Sequence, residues 1–461
     1  MTHGSRLTNK TIPVLAGAML ALACHDAAAP RQLHLEVTAG LHQHAPIGTV
    51  LPNDVVVQLR DASGGAIAGA TVSWQTAAGS GDVIVPSSAT TGPQGSVRAS
   101  WQLGAKSGVR VLTISTVGAS PVEVVAVADS VLVTLSSVHV LPLPSYDGSG
   151  QLVHPDLARI PDAWGGGPFR LAATPFPSGM AKFENPSLFA GASLTDFDVP
   201  AGVQNPIVSP DSGYLSDPDM VFDPDAQTLS LYYRKVTTAN EIWLIRSTDG
   251  VNWSAPVLVV QAPNQMVVSP AVVRRGPGAW LMWSVNAGVE GCIAPSTTIE
   301  LRQSADGVSW SAPEPVDLQD SAGFAWHIDV EWIASRDEYW ALYPIKLPGS
   351  CTTGSLRFAT SSDGVHWRTY PAPLLWHGAL DAFQDIVYRA SMDHGAADGT
   401  VTLFYSGARL IDTSYSWSIA YEQLTDSALL ARVSAAPGAA ILGDRVAPAA
   451  VARPLTDATA P

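Results

Sequence analysis

Apolar and polar residues alternate along this chain in short runs, and almost nowhere do apolar residues recur at helical spacing. Upstream of residue 130 the runs include Leu33-His34-Leu35-Glu36-Val37, Val55-Val56-Val57-Gln58-Leu59, Ala70-Thr71-Val72-Ser73-Trp74, Val97-Arg98-Ala99-Ser100-Trp101 and Val109-Arg110-Val111-Leu112-Thr113. Turn clusters such as Asp61-Ala62-Ser63-Gly64-Gly65 separate them. Period-two runs bounded by turn formers predict about seven short strands, which is the pattern of a β-sandwich. That unit is expected over 31–129, followed by a linker over 130–149.

Downstream the pattern repeats itself. Ser247-Thr248-Asp249-Gly250-Val251-Asn252-Trp253 recurs as Ser304-Ala305-Asp306-Gly307-Val308-Ser309-Trp310 and as Ser361-Ser362-Asp363-Gly364-Val365-His366-Trp367, 57 residues apart both times. Asp-Gly supplies a tight turn between antiparallel strands, and the Trp packs one sheet edge on the next. An aromatic strand precedes each copy (229–233, 280–284, 339–343), and an opening strand precedes that (218–222, 270–273, 328–333). Two less regular units flank these three, one from His154 to Phe189 and one from Phe383 to Tyr421. Five four-stranded units predict an all-β chain whose second domain, 150–426, is a five-bladed β-propeller. Residues 427–461, rich in Ala and Pro, are expected to be a disordered tail. Cys292 and Cys351 fall in equivalent loops of neighbouring blades, after the second strand, and are expected to form a disulfide at the rim.

Composition narrows the partners. The 461 residues carry 40 acidic against 25 basic side chains, and a formal charge of -15 leaves no basic patch for nucleic acid. At the N-terminus Arg6 and Lys10 precede an apolar run, 12–23, too short to span a bilayer and proportioned like a signal peptide. Its end, Ala21-Leu22-Ala23-Cys24, resembles a bacterial lipoprotein signal. The resemblance implies removal of 1–24 up to a lipidated Cys24, and export to the outer membrane or cell surface. The alternative is a plain cleavable signal and a secreted chain. Val57-Gln58-Leu59-Arg60-Asp61, the segment from Ala68 to Trp74 and Thr91-Gly92-Pro93-Gln94-Gly95 resemble the bacterial Ig-like family, which implies a stalk.

The openings of the five inner strands ring the propeller axis, and they read His154-Pro155-Asp156, Ser216-Asp217-Pro218-Asp219, Ser269-Pro270, Trp326-His327-Ile328-Asp329-Val330-Glu331 and Phe383-Gln384-Asp385. Period-two alternation places Asp217 with Asp219 on one face, and His327, Asp329 and Glu331 on another. Crowded carboxylates split their pKa values, as glycosidic cleavage requires. These openings and the repeated Asp-Gly turns are similar to the five-bladed glycoside hydrolases of families 32, 43, 62 and 68. That resemblance implies Asp156 as base or nucleophile and Asp217 as the orienting acid. The third opening lacks the family's acid, which leaves Glu331, with Asp329 and Glu184 as substitutes, for the proton donor. Substrate contacts are expected from His154, Asp219, Glu184, Arg234, Trp326, His327, Asp329, Asp385 and Arg409. The expected partner is a carbohydrate, and the rival reading is a non-catalytic glycan-binding or adhesion propeller. No cofactor motif is present; the acid cluster is compatible with a structural calcium.

Overall fold

A computed structural model describes residues 33–41, 43–106, 108–129, 138–160, 164–346, 351–377, 380–395, 399–411 and 414–434. Cys24 and residues 435–461 lie outside the described residues. The first unit is a pair of four-stranded sheets. One holds Leu33–Ala39, Val55–Asp61, Ser96–Gln102 and Val83–Pro86; the other holds Gln43–Pro46, Val122–Asp129, Gly108–Ser115 and Ser73–Thr76. Within Val55–Asp61 the buried residues are Val55, Val57 and Leu59, so one face turns inward at period two. They meet Leu112, Ile114, Val124 and Ala126 of the facing sheet in a single core around Trp101. The unit touches the second domain where the Val109 N–H donates to Ser321 O (3.2 Å).

Five further sheets make a closed ring. Their inner strands are Leu152–Arg159, Tyr214–Asp223, Val268–Gly276, Asp329–Ile333 and Ile386–Gly395, and each continues outward through antiparallel neighbours. Every inner strand packs on the next, and the fifth packs on the first. Apolar side chains fill the wedges between blades: Leu188 with Leu231, Tyr232 with Met282, Trp283 with Tyr343, and Phe358 with Leu403. The repeated turns latch neighbouring blades. Asp306 Oδ1 accepts the N–H groups of Val308 (2.8 Å) and Ser309 (2.7 Å), closing the turn. The buried Gly307 carbonyl then accepts from Tyr232 Oη of the preceding blade (2.7 Å), and Gly364 O accepts from Trp283 Nε1 likewise (2.8 Å).

Two segments depart from the sequence reading. Within the expected linker, His139–Val140 pairs with Ser414–Thr425 and becomes the outermost strand of blade five. The ring is therefore closed by chain from its own N-terminal side, because the third strand of the last blade would otherwise expose an unpaired edge. Within the expected tail, Asp426–Val433 is a helix capped by Thr425, whose side chain accepts from the Ala428 N–H. Leu429 and Val433 bury it against blades four and five, and Arg432 pairs with buried Glu422 (2.7 Å). The disulfide is present: Cys292 and Cys351 are bonded, with Cα atoms 4.8 Å apart.

Candidate active site

The inner strands share a local irregularity that builds the site. In blades one, two, three and five the register with the second strand slips by one residue, at Val153/Asp156, Ser216/Asp219, Val268/Ala271 and Val387/Ala390. Each slip is a β-bulge, which re-aims a side chain. In the first three blades the bulged residue precedes proline and has positive φ: His154 (55°), Asp217 (51°) and Ser269 (53°). A left-handed backbone at a non-glycine residue before proline is costly, and such strain concentrates at functional sites. The bulge breaks the expected alternation. Asp217 and Asp219 do not act together; they join two separate clusters.

The first cluster is His154, Asp217 and His327, contributed by blades one, two and four, all fully or nearly fully buried. His154 Nε2 lies 3.4 Å from Asp217 Oδ1, and His327 Nδ1 lies 3.2 Å from the same oxygen. None of these three atoms has a hydrogen-bond partner. Their neighbours, by contrast, are fixed. His154 Nδ1 is hydrogen-bonded to Thr174 Oγ1 (3.0 Å). Asp217 Oδ2 accepts from Arg234 Nη1 (3.2 Å) and Ser216 Oγ (3.2 Å). The His327 ring stands edge-on to Tyr388, 4.5 Å between centroids, and Trp326 Nε1 donates to Tyr388 Oη (3.2 Å). Burial holds both imidazoles below the usual histidine range, hence neutral. Burial alone would raise Asp217, but His154, His327 and Arg234 around it carry it well below the usual carboxylate range. Two neutral imidazoles and one carboxylate, whose unpartnered atoms lie within 4.8 Å of one another, are the donor set of a divalent transition cation or zinc. The partners on His154 Nδ1 and Asp217 Oδ2 are orienting contacts of the kind such a site uses, whereas His327 Nε2 has no hydrogen-bond partner and its ring is held by packing on Tyr388.

Glu184 completes this cluster. Its Oε2 lies 3.6 Å from His154 Nδ1, and burial, then the charge of Asp217, pushes its carboxyl well above the usual range. Tyr146, from the expected linker, steadies this loop by donating to Phe183 O (2.6 Å) and accepting from Asn185 Nδ2 (2.9 Å).

The second cluster is Asp156, Asp219 and Asp329, two residues further along the same strands. Here each carboxylate latches its blade to the next. Asp156 accepts the Met220 N–H (2.6 Å), Asp219 accepts the Val272 N–H (2.9 Å), and Asp329 is bonded by the backbone of Met392. Arg389 is fully buried beside them, 3.7 Å from Asp219, and donates to Pro270 O (3.3 Å). Burial and mutual repulsion push Asp156 well above its ordinary range, burial with Asp329 pushes Asp219 up to about 8, and burial pushes Asp329 up to about 7.

The structure distributes the expected site residues between the two clusters and beyond them. Asp156 groups with Asp219 and Asp329, hydrogen-bonded to the Met220 N–H, and not with His154 and Asp217. Glu331 is half-buried another strand step beyond Asp329, with Asp329 and Asp393 raising its carboxyl in addition to burial, and it is not in the His154 layer. Asp385 is exposed and its Oδ2 accepts the Leu410 N–H (2.6 Å), a turn role. Arg409 is half-buried on the second strand of blade five, in register with Ser416. His154, Glu184, Arg234, Trp326 and His327 do gather with Asp217. Tyr388, Thr174 and Gln265 were not anticipated. The one signal available was that His154, Asp217 and Ser269 each stand directly before proline.

No family model matches the chain. Among curated proteins it is similar to the A type blood N-acetyl-alpha-D-galactosamine deacetylase of Flavonifractor plautii, 26% identical over 310 residues, 56% of this chain and 40% of the relative. The chain thus matches less than half the length of that relative. Among solved structures it is similar to an N-acetylgalactosamine deacetylase from F. plautii in complex with blood group B trisaccharide, with a TM-score of 0.58 and 22% identity over 65% of this chain and 98% of that one. A GH62 hydrolase in complex with xylotriose aligns with a TM-score of 0.45 and 14% identity, over 62% of this chain and 95% of that one. The second domain shares the fold of that deacetylase structure.

Proposed function

We propose that the chain hydrolyses the acetamido group of an N-acetylated amino sugar within a glycan, at the His154–Asp217–His327 cluster. The observation that carries this reading is the convergence of three buried, unpartnered donor atoms beside a proton-holding Glu184. A divalent cation held by His154 Nε2, Asp217 Oδ1 and His327 Nδ1 would polarise an acetyl carbonyl and acidify a water. The protein's own groups do the rest. Arg234 keeps Asp217 ionised, and Thr174 orients His154. Glu184, protonated, gives its proton to the departing nitrogen and recovers one from the attacking water. The water oxygen ends on the acetyl carbon, the C–N bond breaks, and acetate and a free amino sugar leave. Likeness to a deacetylase supports this choice of bond.

Glycosidic cleavage is the second reading, favoured by one observation. Glu184, raised, and Asp217, lowered, flank His154 and form the divided carboxyl pair such cleavage uses. The two are separated by incubating the protein with N-acetylgalactosaminides and N-acetylglucosaminides and assaying acetate against released sugar or aglycone. Acetate without glycosidic products supports deacetylation. Glycosidic products without acetate would reverse the choice, and binding without either product would favour a glycan-binding propeller.

We also infer that the chain is exported and lipid-anchored through Cys24, with the two-sheet unit acting as an Ig-like spacer. A disulfide in the propeller fits an oxidising compartment. Metabolic labelling with a fatty acid, abolished by Cys24→Ser, is the expected result; label retained in that variant would refute the anchor.

A further inference from the structure

Arg234 can hold Asp217 only as firmly as its own guanidinium is held. Its Nη1 donates to Asp217 Oδ2, and its Nη2 lies 3.5 Å from Gln265 Oε1. Gln265 belongs to the connection between Val257–Pro263, the outer strand of blade two, and Val268–Gly276, the inner strand of blade three. No strand pairing fixes it. The rim segment 287–294 does. The Gln265 N–H donates to Gly288 O (3.2 Å), and its carbonyl accepts the Ala287 N–H (2.9 Å). Gly291, with φ of 60°, packs so tightly that a Cβ there would come 2.5 Å from Gln265 Nε2.

That rim segment is itself pinned from blade four. Cys292 is bonded to Cys351, and Lys346 Nζ donates to the carbonyls of Cys292 (2.8 Å) and Ala294 (2.7 Å). Lys346 is fully buried. A lysine buried on two backbone carbonyls is costly to desolvate, and here it spends its donors holding a loop. Contacts therefore run without a break from the disulfide, through Gly291, to Gln265, Arg234 and the carboxylate of Asp217.

We propose that Gln265 is a positioning residue for the His154–Asp217–His327 site, and that the Cys292–Cys351 bridge is its anchor. The proposal rests on the cation-holding reading of that site. Asp217 offers Oδ1 to the cluster because Oδ2 is committed to Arg234; an Arg234 released by Gln265 lets the carboxylate rotate. Contacts of this kind behind a metal ligand change affinity by about 10- to 100-fold.

The test is calorimetric titration of Mn2+ into the full chain, alongside unfolding temperatures measured with chelator present. Gln265→Ala is expected to weaken Mn2+ binding by about 10- to 100-fold with its chelated unfolding temperature unchanged. Gln265→Glu, which keeps an acceptor for Arg234, is expected to restore it. Cys292→Ser/Cys351→Ser is expected to weaken binding in the same direction, and adding Gln265→Ala to it to cost little more, because both act through one chain of contacts. Gln265→Ala binding Mn2+ like the wild type overturns the proposal, as does an affinity that falls only in step with stability. A wild type that takes up no Mn2+ overturns the cation-holding reading as well, and is distinguished by that.

Discussion

His154 Nε2 and Asp217 Oδ1 meet at 3.4 Å across the first blade boundary, each buried and each without a hydrogen-bond partner. Both are bulged residues with positive φ, standing before a proline. Leaving a buried acceptor unpaired costs about 1–3 kcal/mol, and the left-handed backbone adds about 1–3 kcal/mol at each residue. A chain that accepts both costs at one point is holding groups for something other than stability. Asp156 and Asp219, two positions along, show the contrast: their carboxylates are hydrogen-bonded to the next blade.

Asp217→Asn keeps the size of the side chain but removes the ionised donor. Hydrolysis is expected to fall more than about 100-fold, with bound divalent metal lost from the purified protein, because the one anionic member of the three-residue set is gone. Metal content by elemental analysis and acetate release check it together. Retained metal with lost turnover would place Asp217 outside the ligand set.

Asp156→Asn is expected to leave turnover close to that of the wild type. Its carboxamide oxygen still accepts the Met220 N–H, and the residue does not reach the His154 layer. Rates for Asp156→Asn and Asp217→Asn measured side by side decide the matter. A collapse in the first variant would restore Asp156 to the catalytic position that the motif His154-Pro155-Asp156 suggests.

The acidic ring predicts how stability depends on pH. Asp219 and Asp329 are pushed up to about 8 and about 7, against about 3.9 for an unfolded aspartate. The folded state therefore holds more protons between these limits. Its advantage is complete below the unfolded value and is lost as pH rises through the folded ones. The unfolding temperature is expected to drop between pH 5 and pH 8.5, an interval spanning about the two folded values. Asp219→Asn, which needs no proton, is expected to flatten that drop. Scanning calorimetry across the range tests this, and a temperature that rises with pH would refute it.

The blades were legible because their signal is local. Ser-x-Asp-Gly-x-x-Trp closes its own turn, as Asp306 does on the Val308 and Ser309 N–H groups, so the motif needs no knowledge of the rest of the chain. The closing strand was not legible. His139–Val140 is two residues long, offers no period, and pairs with Ala420 and Tyr421 at the far end of the domain. The helix Asp426–Val433 shows only two buried residues, Leu429 and Val433, too few to mark an apolar face. For the site, residue types were legible and their grouping was not. Alternation puts Asp217 with Asp219, and the bulge that separates them is marked in the sequence only by Pro218.

The closing strand makes a prediction that separates its edge from its core contact. Leu141 follows His139–Val140 and is 5% exposed, packed among Leu171, Phe189, Phe404 and Ile419 where blade five meets blade one. Its N–H also donates to Ile419 O (2.8 Å). Val140, its neighbour, is 47% exposed. If the segment serves as the seal of the ring, Leu141→Ala removes apolar contact from both blades and is expected to cost about 2–4 kcal/mol. Val140→Ala, with the same backbone pairing and little burial to lose, is expected to cost less than about 0.5 kcal/mol. Denaturant unfolding of both variants gives the comparison. Equal, small losses would mean that the ring is held shut by its blade interfaces alone and that the segment lies on the surface of blade five without sealing it.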